Sequence, residues 1–130
     1  MMQASPLVNF ADPACALLAS SRPELAAAVA AHYAEVAEIA GAGLAERCRE
    51  RVLELVEGRD PTSRGAAPLE RAALAFTDQF CHSALWVTDA QVEDLSRHLE
   101  PGRVFALVTA ISLAERWYRL TRLLSAFAVA

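Results

Sequence analysis

The chain has no run of basic residues interleaved with aromatics, and no basic tail. Nucleic-acid binding needs such a footprint to meet phosphates, and a net charge of −4, from 12 basic and 16 acidic residues, supplies none. Long apolar runs are also missing. The charge-free stretch Val104–Ala114 falls well short of the roughly 18–20 residues that a membrane span needs. The opening MMQASPLVNFADP has neither a basic start nor a long apolar core, so no export signal is expected and the expected location is the cytoplasm. Cysteine is scarce. Cys15, Cys48 and Cys81 are odd in number and far apart, which fits buried free thiols rather than a disulfide framework. No close cysteine pair exists, and His32, His82, His98 and the cysteines show no metal-ligand spacing. Neither a metal nor another cofactor is expected. No stretch alternates apolar and polar residues long enough to argue a strand, and no internal repeat or low-complexity linker divides the chain.

What the chain has is alanine and helical periodicity. At 130 residues and 55% hydrophobic it has the size and composition of one domain with a real core. Alanine favours helices but fills little volume, so alanine-faced helices pack closely and often finish their burial against another subunit. A homo-oligomer is therefore expected.

The clearest helix covers residues 22–40. Leu25, Val29, Val36 and Ile39 recur at helical spacing and predict an apolar stripe, with His32 on it. Glu24, Glu35 and Glu38 fall on a neighbouring face. Ser21 and Glu24 have capping-box spacing, Pro23 suits a first turn, and Gly41 and Gly43 offer a stop. Ahead of it, Asp12 and Pro13 open a short helix running to Ser20. After it, Leu44, Cys48, Val52 and Leu55 make a third helix that Gly58 ends. Residues 58–67 gather Gly58, Pro61 and Gly65 among polar residues and predict a loop, read either as a surface connection or as a segment over a pocket. Pro68 opens a fourth helix with Leu69, Ala73, Phe76 and Phe80 inward. Trp86 and Val87 form an apolar joint. Thr88 then caps a short fifth helix, with Gln91 at the box position and Val92, Leu95 and Leu99 along it. Pro101 and Gly102 start the last helix, which runs to about Phe127 on the stripe Val104, Leu107/Val108, Ile111, Ala114, Tyr118, Thr121 and Leu124. The predicted fold is all-α, with about six helices and mostly short connections.

Three groups could carry chemistry. His32 and Glu35 are helical neighbours at i and i+3, so they read either as a general base with its orienting carboxylate or as a hydrogen-bonded histidine at a helix seam or subunit interface. Cys81 and His82 are adjacent, so they point about 100° apart and make a poor nucleophile–base pair. Arg116, Arg119 and Arg122 form a basic ridge beside Glu115. It reads either as a solvated face suited to a helix C-terminus or as an anion clamp, with Trp117 and Tyr118 as core, interface or pocket wall.

PLERAALAFTDQF, residues 68–80, and VTDAQVEDLSRHLEPGRVFALVTAISLAERWYRLTRLL, residues 87–124, resemble the second half of the carboxymuconolactone decarboxylase family, which includes alkylhydroperoxidase D-like proteins. Glu70–Phe76 resembles its ERAALAF helix and Val87-Thr88-Asp89 its turn. Glu115 and Tyr118 stand where two asparagines usually are, and Arg119 keeps the arginine. In the first half, His32 resembles the histidine of the family's Cys-x-x-Cys-x-x-x-His helix, and Gly43-Leu44 resembles the turn after it, a few residues late. Leu25 and Ala28 occupy the two cysteine positions, and the upstream glutamate falls near Pro13, with Asp12 the nearest acid. The resemblance implies an alkylhydroperoxidase D-like helical fold, single-domain over residues 1–130, assembled as a trimer or a dimer of trimers. Peroxide reduction of the family type needs one thiol to attack and a second to resolve, and leucine and alanine do neither. The resemblance then implies residual acid/base or decarboxylase-like activity on a small-molecule ligand, with His32 as proton carrier, Glu35 its candidate partner and Arg119 a candidate carboxylate partner. The alternatives are a non-catalytic binding or assembly protein, and a peroxidase using an unpaired cysteine.

Overall fold

The structure, a computed structural model, describes residues 7–8, 12–61, 65 and 67–128. Most of the N-terminal residues read for an export signal, and part of the 58–67 loop, lie outside them. Among the described residues six α-helices follow one another: α1 (Pro13–Ser21), α2 (Pro23–Ala40), α3 (Ala42–Val56), α4 (Pro68–His82), α5 (Asp89–Ser96) and α6 (Pro101–Ala128). A single 3₁₀ turn, Ala84–Trp86, joins α4 to α5. Among the described residues there is no strand, and no helix is long and apolar enough to cross a membrane.

The long α6 is the axis. Its 28 residues span about 42 Å at 1.5 Å per residue. It packs most extensively on α2, then on α3, and also meets α1 and α5, while α4 lies on α3. Ala106, Ala110 and Ala114, spaced by four on one face of α6, are buried, as are Ala26, Ala37 and Ala40 of α2. Such small side chains let two helices approach closely. Leu95, Leu107, Ile111 and Val52 fill the centre at 1% exposure or less. Each aliphatic side chain buried in this way contributes about 1.5–3 kcal/mol.

The α2–α3 connection is one residue long. Gly41 holds φ at 110°, in the region that favours glycine, and its N–H bonds back to the Ala37 carbonyl at 3.0 Å. Arg103 of α6 donates to the Ala40 carbonyl at 2.9 Å and so ties down the same helix end. At the α5 start, Thr88 and Gln91 form the expected reciprocal capping box.

Three local expectations change. On α5, Leu95 and, just past the helix end, Leu99 are buried but Val92 is 40% exposed, so the predicted lining is only partly met. Ser21 and Glu24 do not form a capping box. Ser21 is the last residue of α1, so Arg22 takes the cap position and no side chain bonds there. The buried face of α2 is also rotated from the predicted stripe. It carries Ala26, Tyr33, Val36, Ala37 and Ala40, whereas Leu25 and Ile39 are 43% and 51% exposed. Close packing on α6 selects the face that carries Ala26, Ala37 and Ala40 and leaves Leu25 and Ile39 outside. On α3, α4 and α6 the predicted stripes do face inward.

Candidate functional site

His32 and Glu35 lie on the exposed side of α2, and no side-chain hydrogen bond joins either to another described residue. His32 sits midway between the exposed Leu25 and Ile39, seven residues from each. Arg119 is engaged elsewhere. Its Nε donates to Glu115 one turn back, and its Nη2 donates to the Cys81 carbonyl at 3.0 Å, closing the last turn of α4. The single chain therefore does not bring the three predicted residues into one hydrogen-bonded group.

A different part of the molecule forms a cavity. About 460 Å³ lies between α1, α3 and α6, within the usual range for small-molecule sites. Leu7, Cys15, Leu53 and Trp117 provide apolar wall, and Trp117 is only 4% exposed. Arg49, Tyr118, Thr121 and Arg122 provide the polar side, with Asp12 and Glu57 also on the lining.

The polar side is ordered from α3. Glu46 and Arg49 are one turn apart, so the carboxylate meets the guanidinium through both Nε and Nη2. The remaining Nη1 of Arg49 crosses to α6 and donates to Tyr118 Oη at 2.7 Å. Burial works against charge on Arg49, but Glu46 and Tyr118 more than offset it and hold the guanidinium firmly cationic. Burial pushes the Tyr118 phenol up, and the bond from Arg49 pulls it back only in part. Tyr118 thus keeps its proton at neutral pH. Arg49 occupies an oxygen lone pair of that phenol, so the O–H remains as a donor. Thr121 Oγ1 donates to the Tyr118 carbonyl at 3.0 Å and keeps its oxygen lone pairs.

The other charges on the lining are mostly spoken for. Glu57 pairs with Arg59 at 2.8 Å, and Asp12 has an interaction of its own. Arg122 makes no ion pair among the described residues. Of the predicted ridge, then, Arg119 fastens α6 to α4 and Arg122 reaches the cavity.

A smaller cavity of about 250 Å³ opens between α3 and the start of α4, where Arg47 and Glu70 pair at 3.0 Å. The three cysteines are buried, and none is joined in a disulfide. Burial pushes the Cys48 thiol up to about 11, with a Thr77 hydrogen bond pulling it back in part. Burial, with Glu115 adding to it, pushes Cys81 up to about 12. No group of three or more His, Cys, Asp or Glu among the described residues is placed to hold a metal ion.

Trp117, Tyr118 and Arg122, which the α6 sequence already sets side by side, line this cavity. Arg49 was not legible in the sequence, because its partner Tyr118 lies 69 positions away and no local pattern links them. Comparisons with protein-family models, curated proteins and solved structures returned no match.

Proposed function

We propose that this chain is a small-molecule-binding helical domain akin to the carboxymuconolactone decarboxylase family, and that its ligand sits between α1, α3 and α6. One observation carries the reading. Across that 460 Å³ cavity, Arg49 and Tyr118 form a cross-helix hydrogen-bonded pair opposite an apolar wall built on Trp117. A few fixed polar groups facing apolar surface are what a binding pocket needs. The resemblance of residues 68–80 and 87–124 and the six-helix architecture support the family part of the proposal.

The test uses the chain's own fluorescence. The two tryptophans differ: Trp86 is 72% exposed, and Trp117 lines the cavity. In a Trp86→Phe protein, emission reports the cavity alone. Small aromatic molecules are expected to shift it saturably, and Tyr118→Phe is expected to weaken that binding several-fold, as loss of one hydrogen bond of about 1 kcal/mol does. A Trp117 emission that no such molecule changes overturns the proposal.

A second reading places acid/base chemistry at His32, with Glu35 beside it. It is favoured by the exposed Leu25 and Ile39 on either side of His32, an apolar surface that another subunit can cover. In that reading the homo-oligomer, a trimer or dimer of trimers, completes the site. His32→Ala with unchanged assembly and lost turnover supports it, and a monomer at micromolar concentration by sedimentation removes it. Peroxide reduction through an unpaired cysteine draws the least support. Burial holds Cys48 and Cys81 protonated, and the thiolate is the reactive form.

A further inference from the structure

We infer that the cavity takes a small aromatic monocarboxylate, its acid group held between the Arg122 guanidinium and the Tyr118 hydroxyl and its ring against Trp117. This rests on the binding reading above and names the ligand class for that site.

The argument is one of charge and donors. Four charged side chains line the cavity: Asp12, Glu57, Arg49 and Arg122. Arg49 is neutralised by Glu46, Glu57 is paired with Arg59, and Asp12 is engaged. Arg122 is the lining charge that makes no ion pair among the described residues, so the cavity offers one positive charge to a ligand. Tyr118 adds a neutral donor, because Arg49 bonds to its oxygen and leaves its O–H unused. A guanidinium and a hydroxyl together match the two oxygens of a carboxylate. A dianion fits less well, because the one guanidinium without an ion pair balances only one of its two charges. Leu7, Leu53 and the buried face of Trp117 give the rest of the ligand an apolar, flat-sided neighbour. A bare inorganic anion leaves that surface uncovered.

The experiment titrates the Trp86→Phe protein with benzoate, benzyl alcohol, phenyl phosphate and inorganic phosphate, following Trp117 emission and checking the heat of binding. Benzoate is expected to saturate most tightly and to weaken as salt is raised, since Arg122 is exposed. Arg122→Gln is expected to weaken benzoate roughly tenfold or more, as loss of a charge-assisted bond does. Arg116→Gln, a neighbouring arginine off the cavity lining, should leave it unchanged. Circular dichroism and a melting curve for Arg122→Gln separate loss of the ligand contact from loss of fold. If benzyl alcohol binds as well as benzoate and Arg122→Gln changes nothing, the carboxylate assignment is overturned while the cavity reading stands. Tighter binding of phenyl phosphate overturns the monoanion argument. Equal binding of inorganic phosphate overturns the organic acid. If none of the four alters Trp117, the binding reading itself fails.

Discussion

Arg51 is the most deeply buried arginine head among the described residues, at 4% exposure on the inner side of α3. Its Nη1 donates to both carboxylate oxygens of Asp78 on α4, each at 2.8 Å. The two members are unequal, because the Asp78 side chain is 43% exposed and stays hydrated in part. Removing the carboxylate leaves a cation in the core without its acceptor, whereas removing the arginine leaves only a half-solvated acid. Asp78→Ala is therefore expected to cost about 2 kcal/mol, the scale of a lost hydrogen bond to a charged group. Arg51→Met added to it should recover part of that loss, since replacing both charged partners by apolar groups removes the desolvation cost. Urea unfolding of the two variants reads both effects, and a double variant less stable than Asp78→Ala alone contradicts the argument.

At the scale of elements, local signals separate from tertiary ones. The α5 start is local. Thr88 and Gln91 satisfy each other's backbone, and the spacing was readable because a capping box needs no partner outside four residues. Thr88→Ala is expected to cost about 1 kcal/mol, seen as a lower melting temperature with unchanged helical content. The inner stripes of α3, α4 and α6 were equally readable, because large side chains alternate there with polar ones at helical period. The α2 face was not. Its buried side is largely alanine, which gives periodicity analysis little contrast, so Leu25 and Ile39 drew the predicted stripe to the outer side. His32 shares that stripe and is exposed in the single chain. The Arg49–Tyr118 contact was hidden for a different reason, since it exists only once α3 lies against α6.

For the whole molecule, the buried thiols make stability depend on alkaline pH. A cysteine in the unfolded chain loses its proton near 8.5. In the folded chain burial pushes Cys48 up to about 11 and Cys81 up to about 12. Below pH 8 both states hold these protons, and the thiols contribute no pH dependence. Between about pH 8.5 and 11 the unfolded chain has released them while the folded chain retains them. The folded state then binds more protons, so stability falls as pH rises. Each thiol contributes a slope of up to about 1.4 kcal/mol per pH unit. Burial also raises Tyr33 and Tyr118, which add a loss of the same sign, but only above their ordinary value near 10. From pH 9 to 10 the thiols therefore contribute most of the loss, the tyrosines beginning to add to it only towards pH 10. Urea midpoints for the parent chain are expected to fall steadily across this interval, and those for a Cys48→Ala/Cys81→Ala variant, whatever their absolute level, to fall less steeply, since only the buried Cys15 thiol remains. Parallel slopes in the two proteins would mean that the thiols are not the groups whose protons folding retains.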